Sequence, residues 1–390
     1  MKMNQKTISE KSVYLPGLNG LRAIAALAVV GSHTTLLLNE FGLNNKIFAT
    51  DTAGNFTGFP LAAHGVTLFF TLSGFLITFL LLNEKETGDI RIRNFYIRRV
   101  LRIWPLYYLY LVLTLLSLII YSIPFNPGSI PFYVFLSANI PAIIGTSLPL
   151  LAHYWSLGVE EQFYIWFPHL AKIDNQKLSK IALALIVIFL VSKFIFWILM
   201  RRYGIQLPYL AINTVPFHTL LIGVSGSILY YYKNRLFLLV TTHWLTQFVS
   251  WSCIVLIAID KFFLPSLIQT EVVSLVSLCL IMGQVTKTNK LLNLENRLFD
   301  FTGKISYGIY VIHPLLIFYL AKLIGHLKNT PVNYVFVYAV VLVSTISIAF
   351  LSYRYYERWF LKRKTRYTTV KSITTKETAE ERVTRVEPVV

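Results

Sequence analysis

His33 follows Arg22 by eleven residues on one apolar run, Leu18 to Leu38, that is long enough to cross a bilayer. At about 100° and 1.5 Å per residue, eleven residues return a helix to within about 20° of its starting face while climbing about 16 Å. One helix face would therefore carry a guanidinium near one membrane surface and an imidazole far above it. Ionisable groups within a span cost about 2.5–3.5 kcal/mol each on insertion scales, so they usually face a protein-lined cavity and mark a functional path. Imidazole takes and returns a proton near neutrality, and as a nucleophile it can carry a group in transit. The structural alternative for His33 is a hydrogen bond to a neighbouring helix.

Three further constellations stand out. Residues 91–105 read Arg-Ile-Arg-Asn-Phe-Tyr-Ile-Arg-Arg-Val-Leu-Arg-Ile-Trp-Pro, with Arg98 and Arg102 four apart on one helical face and Arg99 beside them. Guanidinium forks suit phosphates; membrane anchoring, with Trp104, Tyr107 and Tyr108 at the interface, is the plainer reading. His153 and Glu160 are seven apart, and with Tyr164 they form a stripe fit to line a polar cavity. A carboxylate in an apolar segment must be paired, hydrogen-bonded or protonated, so Glu160 either orients an imidazole or stitches helices together. Ser306, Tyr310 and His313 fall along one face of a run that Pro314 bends, which fits substrate contact or packing. Ser73-Gly74 reads as a small-residue site for close helix approach, and His64 as a solvated group at a helix start.

The elements that must position these residues are membrane helices. The chain has 390 residues, 55% of them hydrophobic and only 14% charged, with a mean hydropathy of +0.59, outside the range of ordinary soluble domains. Apolar runs occur at 18–38, 60–82, 104–121, 181–200, 213–232, 244–260, 264–285, 305–324 and 333–353, with a harder stretch at 131–170 broken by Pro141, Pro149, His153, Glu160 and Glu161. With a cytoplasmic N-terminus, 28 of the 36 Lys and Arg fall on the cytoplasmic side. That tally requires an odd number of crossings in 131–170 and favours one, around Tyr154 to Pro168. The expectation is an all-α integral membrane protein of about ten transmembrane helices with both termini cytoplasmic: a cytoplasmic segment 1–13, a membrane domain 14–355, and a basic then polar tail 356–390 that is disordered. The net charge of +18 is then topology plus attraction to anionic membrane lipid, and no nucleic-acid fold fits between the spans. Cys253 and Cys279 lie in separate runs and offer neither a disulfide framework nor metal-ligand spacing, so no metal is expected.

In order and spacing, five segments resemble the membrane acyltransferase family 3, which includes acetylases of O-antigen, exopolysaccharide, peptidoglycan and nodulation factor, and acylases of macrolides. They are residues 15–22 with ten residues to His33, Gly65 to Ile77, Phe95 to Pro105, Tyr154 to Tyr164 and Ile305 to His313, within about 14–355. The resemblance implies that Arg22 and His33 are essential to acyl transfer, that Arg98, Arg99 and Arg102 engage a cytosolic acyl-CoA donor, acetyl-CoA foremost, and that Glu160 holds the family's acidic position. It further implies a multi-pass protein of a bacterial cytoplasmic membrane that acylates a hydroxyl of a glycan or glycolipid. Some relatives carry an additional extracytoplasmic domain after the membrane region. This sequence shows none, so delivery is expected either directly or through a separate extracytoplasmic transferase. His33, steadied by Glu160 or His153, would activate the acceptor or become acylated, with His153, Tyr164, Tyr310 and His313 contacting substrate. The rival reading is a non-enzymatic transporter or flippase using the same buried Arg, His and Glu as a relay; it leaves the Arg cluster unexplained, and no broken-helix repeat supports it.

Overall fold

A computed structural model describes residues 11–46, 61–262 and 264–373. Among these the fold is almost wholly helical, as composition requires. The first helix (Leu18–Leu36) starts directly after Gly17, whose φ of +71° turns the chain into it. It packs against the second helix (Leu61–Glu86) and the Ser306–Ile324 helix. Gly65 allows this approach, since a Cβ there would lie 2.9 Å from the Ala25 carbonyl oxygen. The second helix in turn crosses Phe217–Tyr231 backbone to backbone: a Cβ at Gly74 would stand 2.0 Å from the Leu220 carbonyl oxygen. Ser73-Gly74 is thus a packing site on its glycine side.

The third long helix, Ile92–Ile120, contains Pro105, which cannot donate to the carbonyl four residues back. Three tyrosine hydroxyls from elsewhere tether this stretch: Tyr307 donates to the Ile103 carbonyl at 2.8 Å, Tyr356 to that of Pro105 at 3.1 Å and Tyr154 to that of Tyr107 at 3.2 Å. The harder stretch at 131–170 resolves into short helices at Ile130–Val134 and Asn139–Ile143, then a helix over Trp155–Leu170. Leu136 and Leu150 take up positive φ between these pieces.

Among the described residues seven helices are long and apolar enough to cross a membrane, or eight if Arg235–Thr242 and Trp244–Ala258, bent by 52°, form one span. Ten were expected. The difference lies in Leu18–Leu36, whose hydropathy is lowered by Asn19, Arg22 and His33, and in Trp155–Leu170, which has only 16 residues. The tail also departs from expectation. Arg358–Lys364 is helical, and Val370–Ile373 pairs in parallel with Lys11–Tyr14. Composition reports polarity, whereas Val370–Ile373 is held by backbone hydrogen bonds to a strand more than 350 residues away in sequence; residues 374–390 lie outside the described residues.

Candidate active site

The first, second and third long helices, with Trp155–Leu170 and Ser306–Ile324, enclose a cavity of about 100 Å³. A single water needs about 10–15 Å³ by this measure, so the space holds a substrate arm or several waters. Arg22, Arg99 and Arg102 supply its cations, and Glu160 is the carboxylate in its wall. Arg99 and Arg102 both repel the Arg22 guanidinium, so cations outnumber carboxylates there and the site favours a polyanion. Tyr164 donates a hydrogen bond to Glu160, and the Arg99 guanidinium lies over the Tyr164 ring at 4.8 Å and the Phe95 ring at 5.4 Å.

Arg98 does not join this group. Its Nη2 is 2.9 Å from Glu84 Oε2 and its Nη1 donates to the Tyr367 carbonyl at 2.7 Å. Of the three arginines grouped from sequence, two line the cavity and one fastens the second helix and the C-terminal segment to the third.

The histidines form a cluster of their own beyond Tyr310. His33 Nδ1 lies 2.7 Å from His313 Nε2, and the two rings lie end to end and nearly coplanar, with centroids 5.0 Å apart and planes 21° apart. His153, in the turn before Trp155, stands edge-on to both, at 6.4 Å from His33 and 5.2 Å from His313. Its Nε2 is buried without a hydrogen-bond partner among the described residues. Tyr310 is the boundary between cavity and cluster: its hydroxyl donates to the His153 carbonyl at 2.9 Å and meets Ser156 Oγ at 2.6 Å, while its ring touches His153. Ser156 and Tyr310 both line the cavity.

Arg22 and His33 therefore turn toward the same two elements, Trp155–Leu170 with its preceding turn and Ser306–Ile324. The immediate partner of His33 is His313; Glu160 belongs to the cavity wall. Ser73, read from sequence only as part of a packing site, lines the cavity, and Ser156 and the apolar wall residues Phe69 and Phe70 were not singled out, since no polar periodicity marks them. A second buried charge cluster also escaped notice. Lys193 Nζ, 1% exposed, lies 2.8 Å from Glu271 Oε1, which His218 Nε2 approaches to 3.1 Å. These residues come from three helices distant in sequence, so no local spacing reveals them. His64, read as solvated, is buried and stands 3.3 Å from Gln269. Among the described residues no group of three or more His, Cys, Asp or Glu is placed to hold a metal ion.

Comparison with known proteins adds the remaining findings. An acyltransferase domain model matches residues 15–354. A protein of Staphylococcus aureus strain COL that carries the provisional name of an O-acetyltransferase is 30% identical over 394 residues, covering 90% of this chain and 58% of its own length. Peptidoglycan O-acetyltransferase OatA of Listeria monocytogenes serovar 1/2a is 31% identical over 180 residues, 42% of this chain and 25% of that protein. O-acetyltransferase OatA of S. aureus strain NCTC 8325 is 33% identical over 170 residues, 40% of this chain and 24% of that protein. The chain thus spans little more than half the length of the first of these relatives. No solved structure matches it. The match takes in all five sequence segments and every residue of the cavity and histidine cluster, and the chain belongs to the membrane acyltransferase family 3.

Proposed function

We propose that the chain transfers an acyl unit, acetyl by the names of its relatives, from a CoA thioester on the cytoplasmic side to a hydroxyl of a glycan or glycolipid beyond the bacterial cytoplasmic membrane. The observation that carries this reading is the continuity of the site: one cavity joins Arg22, Arg99 and Arg102 to Tyr310, and Tyr310 touches the histidine cluster that contains His33. The cations suit the CoA phosphates. The distance from Arg22 to His33 along the helix, about 16 Å by its rise per residue, gives the thioester arm a polar route where hydrocarbon would reject it.

At the far end His33 takes the proton of the acceptor hydroxyl as its oxygen attacks the thioester carbonyl. The new C–O bond forms, the C–S bond breaks, and the thiolate leaves with the proton that His33 returns. A carrier role for the same imidazole, with the acyl unit resting on it between donor and acceptor, uses the same free lone pair. Mass spectrometry of surface glycans from cells with and without this chain tests the reading. An added acyl mass that needs the chain is expected; movement of an intact solute with no acyl product would refute it.

A further inference from the structure

The histidine cluster carries more than proximity. His313 Nδ1 lies 3.2 Å from the Ile309 carbonyl oxygen, and its Nε2 faces His33 Nδ1 at 2.7 Å. A carbonyl oxygen only accepts, so the proton of neutral His313 belongs on Nδ1, and its Nε2 presents a lone pair. The opposite arrangement would set the Nδ1 lone pair against the carbonyl lone pairs. With His313 Nε2 an acceptor, His33 Nδ1 must be the donor. The remaining nitrogen of His33, Nε2, then holds a lone pair, and among the described residues no hydrogen bond occupies it.

We propose that His313 is a positioning residue that fixes the tautomer of His33 and so leaves Nε2 of His33 as its reacting atom. This rests on the acyl-transfer reading above. The Ile309 carbonyl, His313 and His33 form a directed chain of N–H donors that ends in one free base. The in-line hydrogen bond between two nearly coplanar rings also holds the His33 ring, so its reacting nitrogen has a set direction as well as a set protonation.

The test compares wild type, His33→Ala, His313→Leu and His313→Gln in proteoliposomes, with initial rates of acyl transfer measured against donor concentration. Leu fills much of the imidazole's space without an acceptor, whereas the Gln side-chain oxygen can receive the His33 Nδ1–H. His33→Ala should abolish transfer. His313→Leu should lower kcat roughly 10²- to 10⁴-fold with donor KM unchanged, and His313→Gln should recover most of that loss. An inactive His33→Ala beside a fully active His313→Leu overturns the tautomer assignment while leaving the acyl-transfer reading in place. Full activity of His33→Ala, or no transfer by wild type, overturns the reading beneath it. Nitrogen-15 NMR of histidine-labelled wild type provides a check that does not depend on the folding of any variant: both His33 and His313 should carry the proton on Nδ1, and Nε2–H on His33 sinks the proposal.

Discussion

Arg98 and Arg102 share a helical face by their spacing, yet the structure gives them different work, and replacing each with Ala should separate the two. Arg102 lines the cavity with Arg22 and Arg99. A charge-assisted hydrogen bond from such a guanidinium to a donor phosphate is worth about 1.5–3 kcal/mol. At about 1.4 kcal/mol per decade, Arg102→Ala should raise the donor KM about 10- to 150-fold. Its kcat should change little, because the contact is made equally in ground and transition states. Arg98 is 2.9 Å from Glu84, and the two side chains are only 16% and 4% exposed. Removing it strands a buried carboxylate, a loss of about 3–5 kcal/mol of stability, and frees the Tyr367 carbonyl from its donor. Arg98→Ala should therefore lower thermal stability in detergent while the donor KM of the surviving protein stays near wild type. Arg99→Ala should show both effects in reduced form, since its guanidinium also rests on Tyr164 and Phe95. The assay is donor titration in proteoliposomes beside thermal unfolding of the same preparations. Equal KM shifts for Arg98→Ala and Arg102→Ala would refute the division, and an unchanged KM for Arg102→Ala would remove the donor from this cavity.

Two other expectations concern packing and buried charge. Gly74→Ala drives a methyl into the Leu220 backbone and should destabilise by about 1–3 kcal/mol or more. Gly31→Ala, with nothing within 4 Å of the new methyl, should be neutral or slightly stabilising; thermal unfolding of the pair checks both. Glu271→Gln leaves the Lys193 ammonium buried without its counter-charge and should cost about 3–5 kcal/mol, whereas the double change Lys193→Met with Glu271→Met should recover most of that stability. Equal stability of the single and double variants would show that the ion pair does not hold the three helices in register.

Several parts of this molecule were open to reading from the sequence because they rest on local periodicity. The Arg22 to His33 spacing placed both groups toward the same wall, and the stripe of Ser306, Tyr310 and His313, read as substrate contact or packing, forms one helix face with Ser306 and Tyr310 at the cavity and His313 at His33. Other parts rest on tertiary choices that spacing does not encode. Arg98 and Arg99 are adjacent in sequence, and only the position of Glu84, fourteen residues earlier, decides which of them is drawn away from the cavity. The pairing of His33 with His313 spans 280 residues, and Lys193 meets Glu271 across 78. Glu160 looked like a partner for an imidazole on helical phase, but His153 lies in the turn before the helix begins, so phase counted from it does not apply.

The short ladder between Lys11–Tyr14 and Val370–Ile373 constrains the topology of everything between its strands. Strands that exchange backbone hydrogen bonds occupy one aqueous compartment, because about 30 Å of hydrocarbon cannot separate them. Each outward passage between them would then be matched by a return, so an even number of crossings is expected, and labelling of single cysteines placed in the two strands from one side of sealed vesicles checks it. Three elements are left undecided by length and hydropathy: Leu18–Leu36, Trp155–Leu170 and the bent pair Arg235–Thr242 with Trp244–Ala258. With the other seven of the described residues crossing, an odd number of those three is expected to traverse the bilayer, which points to eight or ten spans.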